Sequence, residues 1–214
     1  IKTPGAVSAE GSEIPSGIQV GLGVKPVAVQ KLFLQGDFVH TGNNLDLVIE
    51  GDGFFQVTMP DGTIAYTRAG AFKLDSEGRI VNSDGYPLEP SITVPANTTS
   101  INASSDGKIT VQQAGTVAPT EIGQIELARF INPGGLKPLG KNLFAPTASS
   151  GDVVTGKPSS EGLGAIDQGY IEMSNVNVVE EMVNMIVSQR AYEINSKAVQ
   201  ASDEMLQTAN NLKR

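Results

Sequence analysis

LDLVIEGDGFFQV at residues 45–57 and PDGTIAYTRAGAFKLDSEGRIVNSDGYPL at residues 60–88 decide the fold class of this chain. In both blocks, short apolar or alternating runs are separated by turn signals at Gly51-Asp52-Gly53, Asp61-Gly62 and Ser76-Glu77-Gly78. Such spacing is typical of β-strands joined by tight turns. We therefore predict strands at 45–49, 54–59 and 64–74, connected as hairpins.

The same pattern continues outward along the middle of the chain. Further short strands are predicted at 79–81, 92–94, 109–111, 122–130 and 143–144, each bounded by Gly, Pro, Asn or Asp. Residues 149–164 are rich in Gly, Ser and Pro and are predicted to form a linker. The prediction is a β-rich domain at residues 27–164.

The first 26 residues form a different kind of segment. Gly, Pro and Ser recur every few positions between Ile1 and Val24, so this part is predicted to be extended or looping, not helical. Because the chain starts at Ile1 without an initiator Met, we expect further residues upstream.

The last segment, residues 165–214, is predicted to be a helical assembly segment, with a long helix that begins after residues 174–177. Asn177 lies among capping side chains, acidic residues follow in the first turn, and basic residues close the far end. No Gly or Pro interrupts the helix. Its apolar and small residues form a first stripe of Val187, Ala191, Ile194, Ala198, Ala201, Met205 and Leu212, and a second stripe of Val178, Met182, Met185, Tyr192, Val199 and Leu206.

Two stripes predict a helix that packs against more than one neighbour. An apolar stripe is usually ordinary core, but a helix of this length spans about 50 Å, more than one face of the β domain can cover. No other segment has comparable helical periodicity. The partner is therefore an absent N-terminal helix, other subunits, or both, and the helix is predicted to belong to a coiled-coil core in an assembly.

Composition argues against several classes of partner and of catalysis. The net charge of -8 argues against nucleic acid or an anionic membrane as partner, and no apolar run is long enough for membrane insertion. His40 is the sole histidine and cysteine is absent, which removes imidazole- and thiol-based catalysis and most zinc sites. We expect no enzyme activity, no cofactor, and no catalytic or metal-binding residues.

Glycine and aspartate are frequent enough to raise two alternatives, a phosphate-binding loop and a calcium or carboxylate site. The glycines lack a following helix and a Lys-Ser/Thr pair, and the aspartates match no calcium-loop spacing. Turn formation is therefore predicted for Gly51, Gly53, Gly62, Gly70, Gly78 and Gly85, and for Asp37, Asp46, Asp52, Asp61, Asp75 and Asp84.

QGYIEMSNVNVVEEMVNMIVSQRAYEINSKAVQASDEMLQTANNL at residues 168–212 closely resembles the terminal signature of flagellar rod and hook proteins. The two middle blocks quoted above resemble the β-domain signature of the same axial family. The family's N-terminal helix, with its Asn-Asn-Leu-Ala-Asn-Val type of motif, has no counterpart here, in line with the expected upstream residues.

The resemblance implies a distal rod subunit that self-assembles into a rigid tube, transmits torque and encloses the export channel. Hook and proximal rod subunits remain alternatives. The distal rod interpretation rests on residues 1–24, which are similar to an extra segment of the rod, and on the size of the β domain, because a hook subunit is expected to carry an additional outer domain. Its rod-stiffening residues would include Pro4, Gly5, Gly11, Pro15 and Gly17.

In such a tube, the terminal helices line the channel and the β domains form the wall. Expected partners are copies of this chain, the adjacent proximal rod and hook-junction proteins, and the surrounding L and P rings. The location would be the periplasm-spanning basal body, reached by flagellar type III export. Expected interface residues are Met182, Met185, Val187, Gln189, Arg190, Ala191, Tyr192, Ile194, Ala198, Val199, Ala201, Met205 and Leu206.

Two readings from other classes are a cell-wall hydrolase and a free-standing binding or adhesin module. The hydrolase lacks an evident acid/base pair or metal triad in the sequence. The binding module leaves the long helix unexplained.

Overall fold

The computed structural model describes residues 23–116 and 118–212. The chain divides into two compact units, residues 1–32 and residues 33–214. In the first unit, residues 23–32 are exposed and have no regular secondary structure. The second unit contains β1 (Phe38–His40), β2 (Leu47–Glu50), β3 (Phe54–Thr58), β4 (Ile64–Thr67), β5 (Lys73–Leu74), β6 (Ile80–Val81), β7 (Leu88–Glu89), β8 (Thr98–Ala103), β9 (Lys108–Gln113), β10 (Thr120–Gln124), β11 (Leu127–Arg129), a 3-10 turn (Pro133–Gly135), β12 (Lys137–Gly140), β13 (Leu143–Ala145), β14 (Val154–Gly156), β15 (Ala165–Gln168), β16 (Tyr170–Glu172) and α1 (Val178–Asn211). The predicted fold class, mainly β with a long C-terminal helix, is confirmed.

Strands β1 to β16, here called the β body, form small antiparallel sheets. The largest has the order β12-β13-β4-β3-β11-β14, and β7 also pairs with β3. A second sheet has the order β10-β9-β8, and three two-stranded ribbons pair β1 with β16, β2 with β15, and β5 with β6. The ribbons that involve β15 and β16 bring the end of the β body back to its beginning.

Strand β3 lies at the centre because its sequence, FFQVT, is suited to burial on both faces. It pairs with β4, β7 and β11. Its Phe55 contacts Phe72 edge-on at a ring-centroid distance of 5.1 Å. The main hydrophobic cluster around these residues comprises Leu47, Ile49, Phe55, Phe72, Ile80, Leu88, Ile92, Val94, Ile109, Val111, Ile125, Leu127, Leu163 and Ile166.

Two of the predicted hairpins are confirmed. β3 and β4 pair across Asp61-Gly62, and β5 and β6 pair across Ser76-Glu77-Gly78. In the first turn, the Thr63 hydroxyl and amide donate hydrogen bonds to Asp61 Oδ1 at 2.6 and 3.0 Å. These bonds lower the pKa of the Asp61 carboxyl. The turn is thus stabilised by its own side chains, as Asx-turns are.

The hairpin predicted between residues 45–49 and 54–59 is wrong. β2 pairs with β15, from Glu50 opposite Ala165 to Leu47 opposite Gln168. The glycines at 51 and 53 therefore bend the chain from one sheet into another instead of reversing it onto its neighbour. Local turn signals mark the bend but do not identify the pairing partner.

Other strand boundaries differ for similar reasons. The predicted strand 122–130 is two strands in different sheets, β10 and β11, while residues 92–94 form only an isolated bridge between Arg79 and Thr93. The predicted strand 64–74 is likewise broken into β4 and β5. Strands β1, β7, β8, β12 and β14 were not predicted, because their sequences are polar, short or contain proline.

The linker predicted at 149–164 is wrong. Residues Val154–Gly156 form β14, which pairs with β11, and both Ser150 and Leu163 are buried. The first part of the predicted helical segment also differs, because β15 and β16 at 165–172 belong to the β body. A polar, turn-rich composition is typical of linkers, which is why this segment was predicted to be one. Such residues can nevertheless be buried when their polar groups are paired: the Ser150 hydroxyl donates to the carbonyl of Thr147 at 2.8 Å.

Gly70 is required by close packing rather than by a turn, so the turn predicted there is wrong. A Cβ at this position would overlap the Leu47 carbonyl oxygen and lie 3.2 Å from the Phe55 ring. The Leu47 amide donates to the Gly70 carbonyl at 2.9 Å, which holds the two backbones together. The break between β4 and β5 follows from this contact.

We predict that Gly70→Ala destabilises the β body by about 3 kcal/mol, because the added methyl overlaps backbone atoms that cannot move independently. Gly115→Ala is the matched control: its Cβ meets nothing within 4 Å, and only the left-handed φ of +92° adds a cost of about 1 kcal/mol. Urea unfolding of both variants measures the difference. Equal stabilities would contradict the packing role of Gly70.

Candidate assembly site

Helix α1 begins at a well-formed cap. The Asn177 side-chain oxygen accepts hydrogen bonds from the amides of Val179 at 3.1 Å and Glu180 at 3.4 Å. The carboxylates of Glu180 and Glu181 in the first turn also stabilise the helix, because they lie near the positive end of its dipole. The predicted N-terminus is confirmed, while the basic residues expected at the far end lie outside the described residues.

Every side chain of α1 that the structure describes is exposed. The exposed fraction is 57% for Met182, 66% for Ile194 and 69% for Leu206. An isolated helix of this kind gains little from propensity alone, because most helical stability in proteins comes from packing of an apolar face. The helix therefore offers a large surface for a partner.

The two stripes lie on nearly opposite faces. At about 100° of rotation per residue, the first stripe stays within about 40° of its mean direction, and the second is centred about 150° away. Burial of either face alone leaves the other exposed. A single partner helix is consequently insufficient to cover α1.

Polar residues separate the stripes. One flank carries alternating charges at Arg190, Glu193, Lys197 and Glu204, and in the described part of the chain no ion pair involves an α1 residue. Three hydroxyls of α1 bond within the helix: Ser188 Oγ donates to the Asn184 carbonyl and Ser202 Oγ to the Ala198 carbonyl, at 2.8 and 2.9 Å, and Thr208 Oγ1 donates to the Glu204 carbonyl at 2.8 Å. The charged flank is thus available for intermolecular pairing.

The structure places all thirteen predicted interface residues on α1 and exposed. It brings none of them together with a partner, so their role stays a prediction. Pro4, Gly5, Gly11, Pro15 and Gly17 lie outside the described residues.

No sequence pattern indicated the junction that connects α1 to the β body. There, the Arg68 guanidinium and the Glu172 carboxylate form an ion pair, with Nε 2.9 Å from Oε2. Asn175 Nδ2 donates to the Leu34 carbonyl at 2.9 Å, between this ion pair and the start of the helix. Only the proximity of Arg68 to a turn-rich block could have singled it out.

Three of the six glycines predicted to form turns do so: the amides of Gly62, Gly78 and Gly85 donate to the carbonyls three residues earlier, whereas Gly51 and Gly53 lie at the bend between β2 and β3. Gly51, Gly53, Gly62, Gly78 and Gly85 have φ values between +78° and +149°, which L-residues rarely adopt. Among the described residues, no three His, Cys, Asp or Glu side chains group as a metal site would require. In the same residues, no helix has the length and hydropathy of a membrane span.

One cleft of the β body brings two carboxylates together, Asp75 and Glu77. Both pair with Arg79, at 2.8 and 3.3 Å. Burial raises the pKa of the Asp75 carboxyl, but hydrogen bonds from Arg79 and from the Glu77 amide outweigh it, so this pKa lies below the ordinary value. The carboxylic acid that acts as general acid in a glycosidase needs a raised pKa, so this pair of carboxylates is poorly suited to glycoside hydrolysis.

Comparison with known families agrees with this geometry. Residues 48–111 match the model described as the flagellar hook protein FlgE/F/G D1 domain, and residues 167–212 match the C-terminal model of the flagellar basal-body rod FlgEFG proteins. The first match covers much of the β body, and the second covers the last ribbon strand and α1. The fold and the exposed helix thus define a protein of the flagellar axial class.

Similar proteins narrow this class. The chain is 51% identical over 212 residues to the flagellar basal-body rod protein FlgG of Borreliella burgdorferi, covering 98% of this chain and 80% of that protein. It is 47% identical to FlgG of Buchnera aphidicola subsp. Acyrthosiphon pisum, covering 99% and 82%. The chain belongs to the FlgG family of flagellar basal-body rod proteins.

A hook protein is similar over a shorter region. The match to the flagellar hook protein FlgE of Borreliella burgdorferi has 43% identity over 93 residues, 44% of this chain and 21% of that protein. Nearly full-length similarity is thus seen with the rod proteins.

Proposed function

We propose that this chain is a structural subunit of the bacterial flagellar distal rod, which polymerises through α1 into a rigid helical tube. The observation that carries the proposal is a fully exposed helix with two apolar stripes on nearly opposite faces, in a chain of the rod family. Such a surface exceeds what a free monomer normally leaves in water. Burial between subunits removes it.

In this tube, α1 and its copies form the inner layer around the export channel, and the β bodies form the outer wall. The first stripe packs as a coiled-coil seam, because its spacing alternates between four and three residues. The second stripe contacts a different helix. Met182, Met185 and Tyr192 contribute large side chains to it.

The polar residues of α1 set the register. Arg190 and Lys197 alternate with acidic residues on the charged flank, so a neighbouring helix in the correct register pairs opposite charges. Gln189 adds hydrogen bonds. A subunit shifted by one helical turn meets like charges, which disfavours it.

The role is structural, as in the other proteins of the rod family, and no catalytic step is assigned to any residue. The partners are copies of this chain and related rod and hook proteins. The proximal rod and hook-junction proteins contact its two ends, and the L and P rings surround it. The chain resides in the flagellar basal body, where the rod spans the periplasm after type III export, and it transmits torque from the motor.

Deletion of the gene in the source bacterium is expected to give basal bodies without a distal rod and cells without motility. Expression of the full-length protein restores both. The matched control expresses the protein truncated after Met173, which retains the β body but lacks α1, and it is expected to restore neither. Electron microscopy of isolated basal bodies measures the result, and complete rods in the deletion strain would refute the proposed function.

A further inference from the structure

The junction between the β body and α1 is organised around one guanidinium. Arg68 donates to Glu172 from Nε at 2.9 Å and from Nη2 at 3.2 Å. It also donates from Nη1 to the carbonyls of Gly51 and Gly53, at 2.9 and 3.0 Å, and from Nη2 to the carbonyl of Ile49 at 3.2 Å. These five bonds use all five N–H donors of an arginine side chain.

Glu172 connects this guanidinium to both ends of the β body. It belongs to β16, where it is paired with Phe38 of β1, and its Oε1 accepts a hydrogen bond from the Gly36 amide at 3.0 Å. The Met173 amide donates to the Asp37 carbonyl at 2.8 Å. The chain entering the β body and the chain leaving it are therefore held to each other and, through Arg68, to the end of β2 and the loop at 51–53.

Glycine is needed at the closest point of this junction. A Cβ on Gly36 would overlap the Met173 carbonyl oxygen. The two chains thus approach as closely as backbone atoms allow. The leaving chain then has only residues 174–177 before α1 begins.

The ion pair is more buried than the others. The Arg68 and Glu172 side chains are 17% and 11% exposed, whereas each other ion pair among the described residues includes a side chain exposed by at least 42%. Removing one partner of a buried pair leaves an uncompensated charge, which is strongly unfavourable. Disruption of the Arg68–Glu172 ion pair is therefore expected to destabilise the junction between the β body and α1.

We propose that Arg68 is a positioning residue for assembly: by holding Glu172 against the carbonyls of residues 49–53, it fixes the direction in which α1 leaves the β body. In the rod, this direction relates the inner helical layer to the outer wall, a consequence that rests on the proposed function. The guanidinium then transmits load between the two layers. Lysine cannot replace it, because an ammonium lacks the planar fork that reaches the carboxylate and the carbonyls together.

The absence of cysteine among these 214 residues allows a direct test in the isolated chain. Spin labels are attached to cysteines introduced at Gln112 on the β body and Asn184 on α1, both exposed, and the distance between them is measured by pulsed electron paramagnetic resonance. Arg68→Lys and Glu172→Gln are expected to broaden the distance distribution about twofold, because α1 samples more directions once the fork is broken. Arg79→Lys alters an arginine paired at the surface and is the matched control, with an unchanged distribution.

Thermal unfolding and far-UV circular dichroism identify the conditions in which each variant retains both its β body and the helicity of α1, and distances are compared within them. A distribution as narrow as in the unmodified chain for both Arg68→Lys and Glu172→Gln would overturn the proposal. The measurement requires no polymerisation, so it can fail while rods still form. Conversely, broadening in both variants together with complete rods in the deletion strain would leave the positioning role intact and refute the rod function.

Discussion

Replacing both Ile194 and Ala198 by aspartate is expected to abolish rod assembly. Both residues belong to the first stripe, and Ile194 is 66% exposed in the isolated chain. In a packed seam, each new carboxylate loses its hydration without gaining a partner, at a cost of several kcal/mol, about 3 or more per site. Because every subunit carries both changes, the loss repeats at each added copy.

The β body is expected to retain its thermal transition in this variant, because α1 contributes no buried residue to it. The matched control is Ile194→Val with Ala198→Ser, which changes the same sites without introducing charge and should assemble at nearly normal yield. Electron microscopy of basal bodies and thermal unfolding of the purified chain provide the two measurements. Rods at normal yield in the aspartate variant would show that the first stripe is not the seam.

Deletion of Lys2–Ser16 from the intact protein is expected to leave polymerisation possible but to give a curved, more compliant rod. Bending a tube requires subunits to slide past one another on the compressed side, so stiffness requires that the gaps between them be filled. A segment that contains Pro4, Gly5, Gly11 and Pro15 can follow a groove on a neighbour, and proline limits its conformational freedom. We propose that it acts as a wedge.

A variant in which residues 2–16 are replaced by an equally long Gly/Ser sequence separates length from sequence. If the wedge depends on its prolines, this control also curves; if bulk is sufficient, it stays straight. Curvature is measured on isolated basal bodies from the deletion strain. Straight rods of normal stiffness after the deletion would rule out the wedge.

The sequence was sufficient for features that depend on local chemistry. The N-cap at Asn177, the unbroken helix after it, and the hairpins at 61–62 and 76–78 each rest on residues that are close in sequence. Capping and turn preferences act over a few residues, so they can be recognised without knowledge of the rest of the chain.

Prediction from the sequence failed where the structure depends on pairing between residues that are far apart in the chain. β2 finds its partner in β15, more than a hundred residues later, so the nearby turn at 51–53 suggested the wrong neighbour. β8, with the sequence TTSINA, is a strand because β9 pairs with it, although its own residues are mostly polar. The Arg68–Glu172 pair joins residues 104 positions apart, which no periodic pattern reveals.

The β1–β16 ribbon has a consequence for how this architecture can change. Because Phe38 lies opposite Glu172 in an antiparallel pair, the chain enters and leaves the β body side by side, with Cα atoms about 5 Å apart. Everything between these residues is topologically an insertion into a two-stranded stalk. Such a layout allows the inserted module to be enlarged, shortened or exchanged while the stalk and the helix that follows it are inherited unchanged.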